Sequence, residues 1–321
     1  MTAWRAALGA LALVLAAASA AHAENRFALI VTGAPGGEAF VATYTTWAEQ
    51  LSSAFTAHLG FPAEQVVVLS GTAEDPPRQS TQQNVRAAVE TLMRRVQKDD
   101  LLVVVLVGHG TVDDGLAKFN LVGPDLSSED WGSLLRDVPG RLVAINTTGG
   151  SFPFLRDLAN RGRVVITATE STAQRYDTVF PEQLIAALRD PAADLDKNGR
   201  VSVWELFVRT SKGVATHFER QGLLATERAM LDDTGDGMGV EAIGTGTDGA
   251  LARATYLERE MPAGDVDPGL AELLTRRRTL EEQAERLKQR KPTMPLEAWE
   301  REFEALMIEL ARVSRRIRSR S

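Results

Sequence analysis

A chain of 321 residues with 44% hydrophobic and 25% charged side chains is long enough for one large domain or two modest ones, and its composition is that of a folded globular protein. A formal net charge of −7 argues against a phosphate-neutralising surface, so no nucleic acid is expected as a partner. With no cysteine in the sequence, disulfides, thiolate catalysis and a lipid-modified N-terminal cysteine are all excluded.

The chain opens with Arg5, an apolar run over 6–18 and the small-residue pattern Ala21-His22-Ala23 ahead of Glu24. That order predicts a signal peptide over 1–23, because the run is shorter than the ~20 residues a spanning helix needs. No twin-arginine pair is present, and no later segment is apolar enough to cross a bilayer. The expected product is periplasmic or secreted, with no integral membrane segment after cleavage.

From Arg26 onward, β-branched apolar runs alternate with amphipathic stretches. Strands are predicted over 27–31, 65–69, Leu101–Val107, 142–145 and Arg163–Thr167, with helices near 41–59, 82–96, 128–135, 154–160 and 181–188. Leu101–Val107 shows no alternation, as expected of a strand covered on both faces. Strands separated by helices imply an α/β fold with a mostly parallel sheet and helices on both faces. Ligands of such sheets sit beyond the carboxyl ends of the strands, which singles out the loops after Val107 and Ile145. The turn Gly33-Ala34-Pro35-Gly36-Gly37 has neither the P-loop lysine nor the dinucleotide-binding spacing, and His58 and His217 lack zinc-ligand partners; these read as structural.

After Pro181 the pattern becomes helix, acidic loop, helix. Asp194-Leu195-Asp196-Lys197-Asn198-Gly199-Arg200-Val201-Ser202-Val203-Trp204-Glu205 matches the twelve-position EF-hand loop at its constrained positions. Asp194, Asp196 and Asn198 offer side-chain oxygens at positions 1, 3 and 5, and Gly199 permits the sharp turn at 6. Arg200 would ligate through its main-chain carbonyl, Ser202 directly or through water, and Glu205 through a bidentate carboxylate. The expected cofactor is Ca2+, bound in the ~0.1–1 mM class of extracellular modules and structural in role. Asp232-Asp233-Thr234-Gly235-Asp236-Gly237 has no carboxylate at its twelfth position and reads as a flexible acidic turn.

Beyond about Asp267, Leu296, Trp299, Phe303, Leu306, Leu310, Val313 and Ile317 follow a 3-4 spacing. A weaker seam runs through Leu273, Leu280, Ala284 and Leu287, and two prolines, Pro292 and Pro295, separate the two. Together they predict a coiled-coil-type helical hairpin, packed on its own chain or serving as a homo-oligomer or partner surface. The expected organisation is a signal peptide (1–23), an α/β domain (24–190), a calcium-loop and Gly/Asp-rich segment (191–250) and the hairpin (251–321).

Leu101–Val107 runs into Gly108-His109-Gly110, and the strand ending at Ile145 runs into Asn146-Thr147-Thr148-Gly149-Gly150-Ser151. A parallel strand delivering His-Gly, followed by a strand delivering a small-residue turn, resembles the caspase-like peptidases of the legumain (C13) and caspase clan over roughly residues 26–188. The resemblance implies a caspase-like sheet, a general base at His109 and a nucleophilic cysteine that falls on Thr147, or on Thr148 or Gly149 with a shifted register. The Asp194 loop, the segment Leu223-Leu224-Ala225-Thr226-Glu227 and the helical tail resemble a group of exported bacterial C13-like proteins. Two functions are compatible with a turn that lacks its thiol. One is a pseudopeptidase that binds a protein or peptide partner without cleaving it. The other is a hydrolase using Thr147, Thr148 or Ser151 as nucleophile, His109 as base and the N–H groups of Gly149 and Gly150 as oxyanion donors. Asp113 and Asp114 are the carboxylates close to His109 in sequence, in a loop.

Overall fold

The computed structural model describes residues 24–243, 246–258, 268–291 and 294–318. The predicted signal peptide and Pro292 lie outside them. From the amino end run β1 (Arg26–Thr32), α1 (Glu38–Ser53), β2 (Val66–Ser70), α2 (Gln82–Arg95) and β3 (Leu101–Val107). Next come β4 (Gly110–Asp113), β5 (Leu116–Phe119), β6 (Leu126–Ser127), α3 (Ser128–Leu134), β7 (Arg141–Asn146), α4 (Phe152–Leu158) and β8 (Arg163–Thr167). Then α5 (Phe180–Ala187), α6 (Val203–Gln221), β9 (Met230–Asp232) and α7 (Ala250–Ala254) lead to α8 (Pro268–Arg290) and α9 (Leu296–Arg318).

Six strands form one sheet in the order β2-β1-β3-β7-β8-β9, parallel except for β9, which runs antiparallel to β8. Every residue of β3 is buried, which accounts for its unbroken apolar run. Alternate side chains supply two cores. Val103, Val105 and Val107 face Leu51, Phe55, Leu184 and Phe207 of α1, its continuation, α5 and α6. Leu102, Val104 and Leu106 face Val89, Leu92, Trp131 and Phe154 of α2, α3 and α4. Each such fully buried aliphatic side chain contributes about 1.5–3 kcal/mol. The fold is therefore mixed α/β, with a mostly parallel sheet, helices on both faces and a helical C-terminus.

Three elements differ from those expected of the sequence. The helix expected over 41–59 ends at Ser53 and continues as a wider π-type turn, Ala54–His58. A second sheet, β4-β5-β6, occupies what reads as a polar loop. Its first hairpin turns at Asp114 and Gly115, both with positive φ (47° and 81°), the conformation an Asp-Gly pair favours between short strands. β9, only three residues long, completes the main sheet at its edge.

α8 and α9 pack together antiparallel. Arg276 pairs with Glu309 at 2.5 Å, and the Trp299 indole donates to the Leu287 carbonyl at 2.9 Å. Leu273, Leu280, Val313 and Ile317 are buried between them, whereas Leu296, expected in the seam, is exposed. Among the described residues no helix is long and apolar enough to cross a membrane.

Candidate functional site

β3 and β7 are paired in parallel with Leu106 opposite Asn146, so His109 and Thr147 emerge beside each other at the carboxyl edge of the sheet. The His109 ring sits in an aromatic corner, with Phe40 edge-on at 4.6 Å and Tyr44 at 5.5 Å. Its Nδ1 lies 2.9 Å from Asp177 Oδ1 and its Nε2 lies 3.1 Å from the Pro35 carbonyl. Both partners are acceptors, and a neutral imidazole has one donor only, so both bonds form together only on a doubly protonated ring. The partner of His109 is thus Asp177, from a loop 68 residues away, rather than Asp113 or Asp114; Asp113 lies 4.0 Å from Lys118 instead. Burial, with the Asp177 charge adding, pushes the Tyr44 hydroxyl well above its usual range, so it stays protonated.

The hydroxyls that would replace a thiol point elsewhere. Thr147 is fully buried and its Oγ1 donates to the Leu106 carbonyl at 2.8 Å. Thr148, 1% exposed, donates from Oγ1 to Asn146 Oδ1 at 2.8 Å. Ser151 is buried and pairs with the Thr169 hydroxyl at 3.1 Å. The loop 170–179 then covers the turn. Gly150 N–H donates to the Gln174 carbonyl at 2.7 Å, and the Thr178 hydroxyl donates to the Thr147 carbonyl. Gly150 is therefore engaged within the protein, contrary to its expected service as an oxyanion donor. A Cβ on Gly149 would meet the Tyr176 carbonyl at 2.4 Å, so the loop packs too closely to admit a side chain. Gly149→Ala should accordingly destabilise the protein by about 1–3 kcal/mol. A urea unfolding midpoint unchanged from wild type would show that the loop does not press on the turn.

Where this loop enters α5, Glu227 is 3% exposed. Its Oε1 accepts from Val179 N–H at 2.9 Å, while its Oε2 has no hydrogen-bond partner. Burial pushes its carboxyl up to about 7. The native state thus holds a proton that the unfolded chain has released, and stability falls as pH rises from about 4.5 to 7. Glu227→Gln should flatten that fall, changing the wild-type-minus-variant stability difference between pH 5 and 8 by on the order of 2–3 kcal/mol in urea titrations.

The loop 194–205 forms a second site. Carboxylate oxygens of Asp194, Asp196 and Glu205 lie within 4.8 Å of one another, and Gly199 takes φ 86° at the turn. Each pair of charges at that spacing repels by roughly 3 kcal/mol at an effective dielectric near 20. Removal from water, with Glu205 adding, pushes the Asp196 carboxyl up to about 6, although the residue keeps substantial contact with solvent. Asn198 Oδ1 accepts from Arg200 N–H at 2.9 Å, and the Arg200 guanidinium packs over the half-buried Tyr256 ring at 3.8 Å. Ser202 caps α6, its hydroxyl exchanging bonds with Glu205 in a capping box. The converging carboxylates, the glycine turn and the all-oxygen donor set fit a hard divalent cation. Asp194, Asp196, Asn198 and Glu205 would hold it through side chains and Arg200 through its carbonyl, with Ser202 nearest its cap.

A further acidic cluster, Asp232, Asp236 and Asp248, is held by backbone donors: Asp232 accepts from Gly235 and Gly237 N–H, each at 2.8 Å, and Asp248 from Asp233 and Thr234. Buried Asp232 and Asp248 make this a more ordered turn than its composition suggests.

No protein-family model matches the chain, and no curated protein matches it in sequence. Among solved structures the chain is similar to caspase-1 from Spodoptera frugiperda, with 11% identity and a TM-score of 0.45 over 66% of this chain and 88% of the caspase. It is also similar to a Geobacter sulfurreducens protein determined as a structural genomics target, with 13% identity and a TM-score of 0.47 over 73% of this chain and 99% of that one. These likenesses concern overall shape, and the residue roles rest on the geometry described above.

Proposed function

We propose that the protein is an exported, calcium-binding, caspase-like pseudopeptidase, a scaffold or binding protein for a protein or peptide partner. The observation that supports this most is the closed turn at Thr147–Ser151. Its hydroxyls bond inward, Gly150 N–H is taken by Gln174, and both nitrogens of His109 face fixed acceptors. A base must present a free nitrogen within reach of the proton it removes, and an oxyanion hole must present free donors. Calcium in the 194–205 loop is structural here, pinning the start of α6 against the sheet domain.

The hydrolase alternative gains one element, since Asp177 orients His109 as a triad carboxylate would. It lacks a hydroxyl hydrogen-bonded to the imidazole among the described contacts. The test is turnover of fluorogenic peptides carrying Asp, Asn or Arg at the scissile position, together with labelling by a serine/threonine-reactive fluorophosphonate. No turnover and no labelling are expected. Turnover that disappears in His109→Ala would sink the pseudopeptidase proposal and establish the hydrolase.

A further inference from the structure

Asn198 faces both the acidic loop and the C-terminal hairpin. Asn198 is 4% exposed. Its N–H donates to Asp194 Oδ1 and Asp196 Oδ1, each at 2.9 Å, which ties it to the carboxylate cluster. Its Nδ2 donates to Asp196 Oδ2 at 3.0 Å and to the Tyr256 hydroxyl at 3.3 Å. Its main-chain carbonyl accepts from Nη1 of Arg277, a residue of α8 that is 7% exposed. One turn further along α8, the Glu281 carboxylate lies 3.5 Å from Arg277 Nε and balances its charge. A Cβ on Gly199 would lie 3.8 Å from Arg277 Nη1, so the guanidinium reaches the sharp turn of the loop at ordinary contact distance.

We infer that cation binding in the 194–205 loop and docking of the α8–α9 hairpin are thermodynamically linked through Asn198 and Arg277. The inference rests on the calcium reading proposed above. Without a cation, the three carboxylates repel one another and push apart the loop on which Asn198 is mounted. With one, Asn198 is fixed by its own ligating side chain, and its carbonyl is presented to Arg277. Binding one divalent cation takes the three carboxylates from a net charge of −3 to −1, which weakens their pull on the guanidinium, so the linkage is carried by the placement of the Asn198 carbonyl rather than by net charge. Linkage is reciprocal: a docked Arg277 holds the loop in its binding geometry and so raises calcium affinity, although it supplies no ligand atom.

The chain from Glu24, where the described residues begin, tests this directly. Calcium affinity is measured by calorimetry, and hydrogen exchange of the helices is followed in calcium chloride and in EGTA. Hairpin amides are expected to exchange at least about 5-fold faster in EGTA, and Arg277→Gln is expected to weaken calcium binding by about 5-fold or more. Arg276→Gln, which breaks the pair with Glu309 inside the hairpin, should leave affinity unchanged. An equal loss in Arg276→Gln would overturn the specific link, because general loosening of the hairpin would then explain the effect. Tighter binding in Arg277→Gln would also overturn it, since the guanidinium would be a competitor for the site. Calcium binding with hairpin exchange the same in both buffers overturns the linkage alone. No calcium binding to wild type overturns the calcium reading and the linkage with it.

Discussion

Glu205→Ala should abolish calcium binding and lower the thermal midpoint by roughly 5–10 °C in millimolar calcium, with a smaller drop in chelator. The two parts have separate origins. Glu205 is 6% exposed, and its carboxylate serves four donors even without a cation. Oε2 accepts from Ser202 N–H at 2.8 Å and Ser202 Oγ at 2.7 Å, while Oε1 accepts from Leu195 and Asp196 N–H at 2.9 and 3.2 Å. Losing the cap costs about 0.5–2 kcal/mol, and this part persists in chelator. Calcium at one hundred times its dissociation constant adds about 2.7 kcal/mol to the wild type alone. Equal midpoint drops in calcium and in chelator would mean that the loop is a capped turn and binds no ion.

The same loop fixes a sign for pH. The Asp196 carboxyl is pushed up to about 6, so the native loop holds a proton more tightly than the unfolded chain does. The calcium-free protein therefore gains stability as pH falls from about 7 toward 5, and loses it as pH rises again. Calcium needs the ionised form, so the midpoint difference between calcium and chelator should widen from pH 5 to pH 7. The solvent exposure of Asp196 keeps the proton effect smaller than the cation effect.

What was legible in the sequence depended on whether the signal was local. β3 was evident because a strand buried on both faces has nowhere to put a polar residue, and Leu101–Val107 has none. The convergence of Asp194, Asp196 and Glu205 around the Gly199 turn was legible for the same kind of reason, since one short segment carries all of these residues. The β4–β5 hairpin left a trace in Asp114-Gly115, but strands of four residues give too few alternations to weigh against a loop. β9 is three residues long and gains its meaning from pairing with β8. Asp177, Gln174 and Arg277 could not be found this way. Each acts on a residue 24 to 79 positions away, through contacts that exist only once the sheet has formed. The presence of His109 and the absence of cysteine could be read directly, whereas closure of the turn could not.

That closure sets the expected result for placing a thiol in the turn: Thr147→Cys should show no peptidase turnover and alkylate far more slowly when folded than in urea. Thr147 is 0% exposed, and its side chain points at the Leu106 carbonyl, an acceptor that favours the protonated thiol over the thiolate. Burial acts in the same direction. His109 cannot draw off the proton while its Nε2 faces Pro35, and Gly150 N–H is unavailable to an oxyanion while Gln174 holds it. A single missing oxyanion donor costs about 10²–10³ in turnover, before any loss from the base is counted. Thr148→Cys should behave alike, since Thr148 is 1% exposed and lies against Gly110, where a Cβ would come within 2.6 Å of its hydroxyl. Turnover in either variant, abolished by His109→Ala, would show that the turn opens in solution. If the loop 170–179 is the cover, Thr178→Val in the Thr147→Cys background removes one of its clamps. Alkylation should then accelerate, by about tenfold for each 1.4 kcal/mol of closure lost, with no gain in turnover. The two readouts separate because access to the sulfur depends on the loop, whereas chemistry also needs a free base nitrogen and free oxyanion donors, and His109 Nε2 and Gly150 N–H are both engaged.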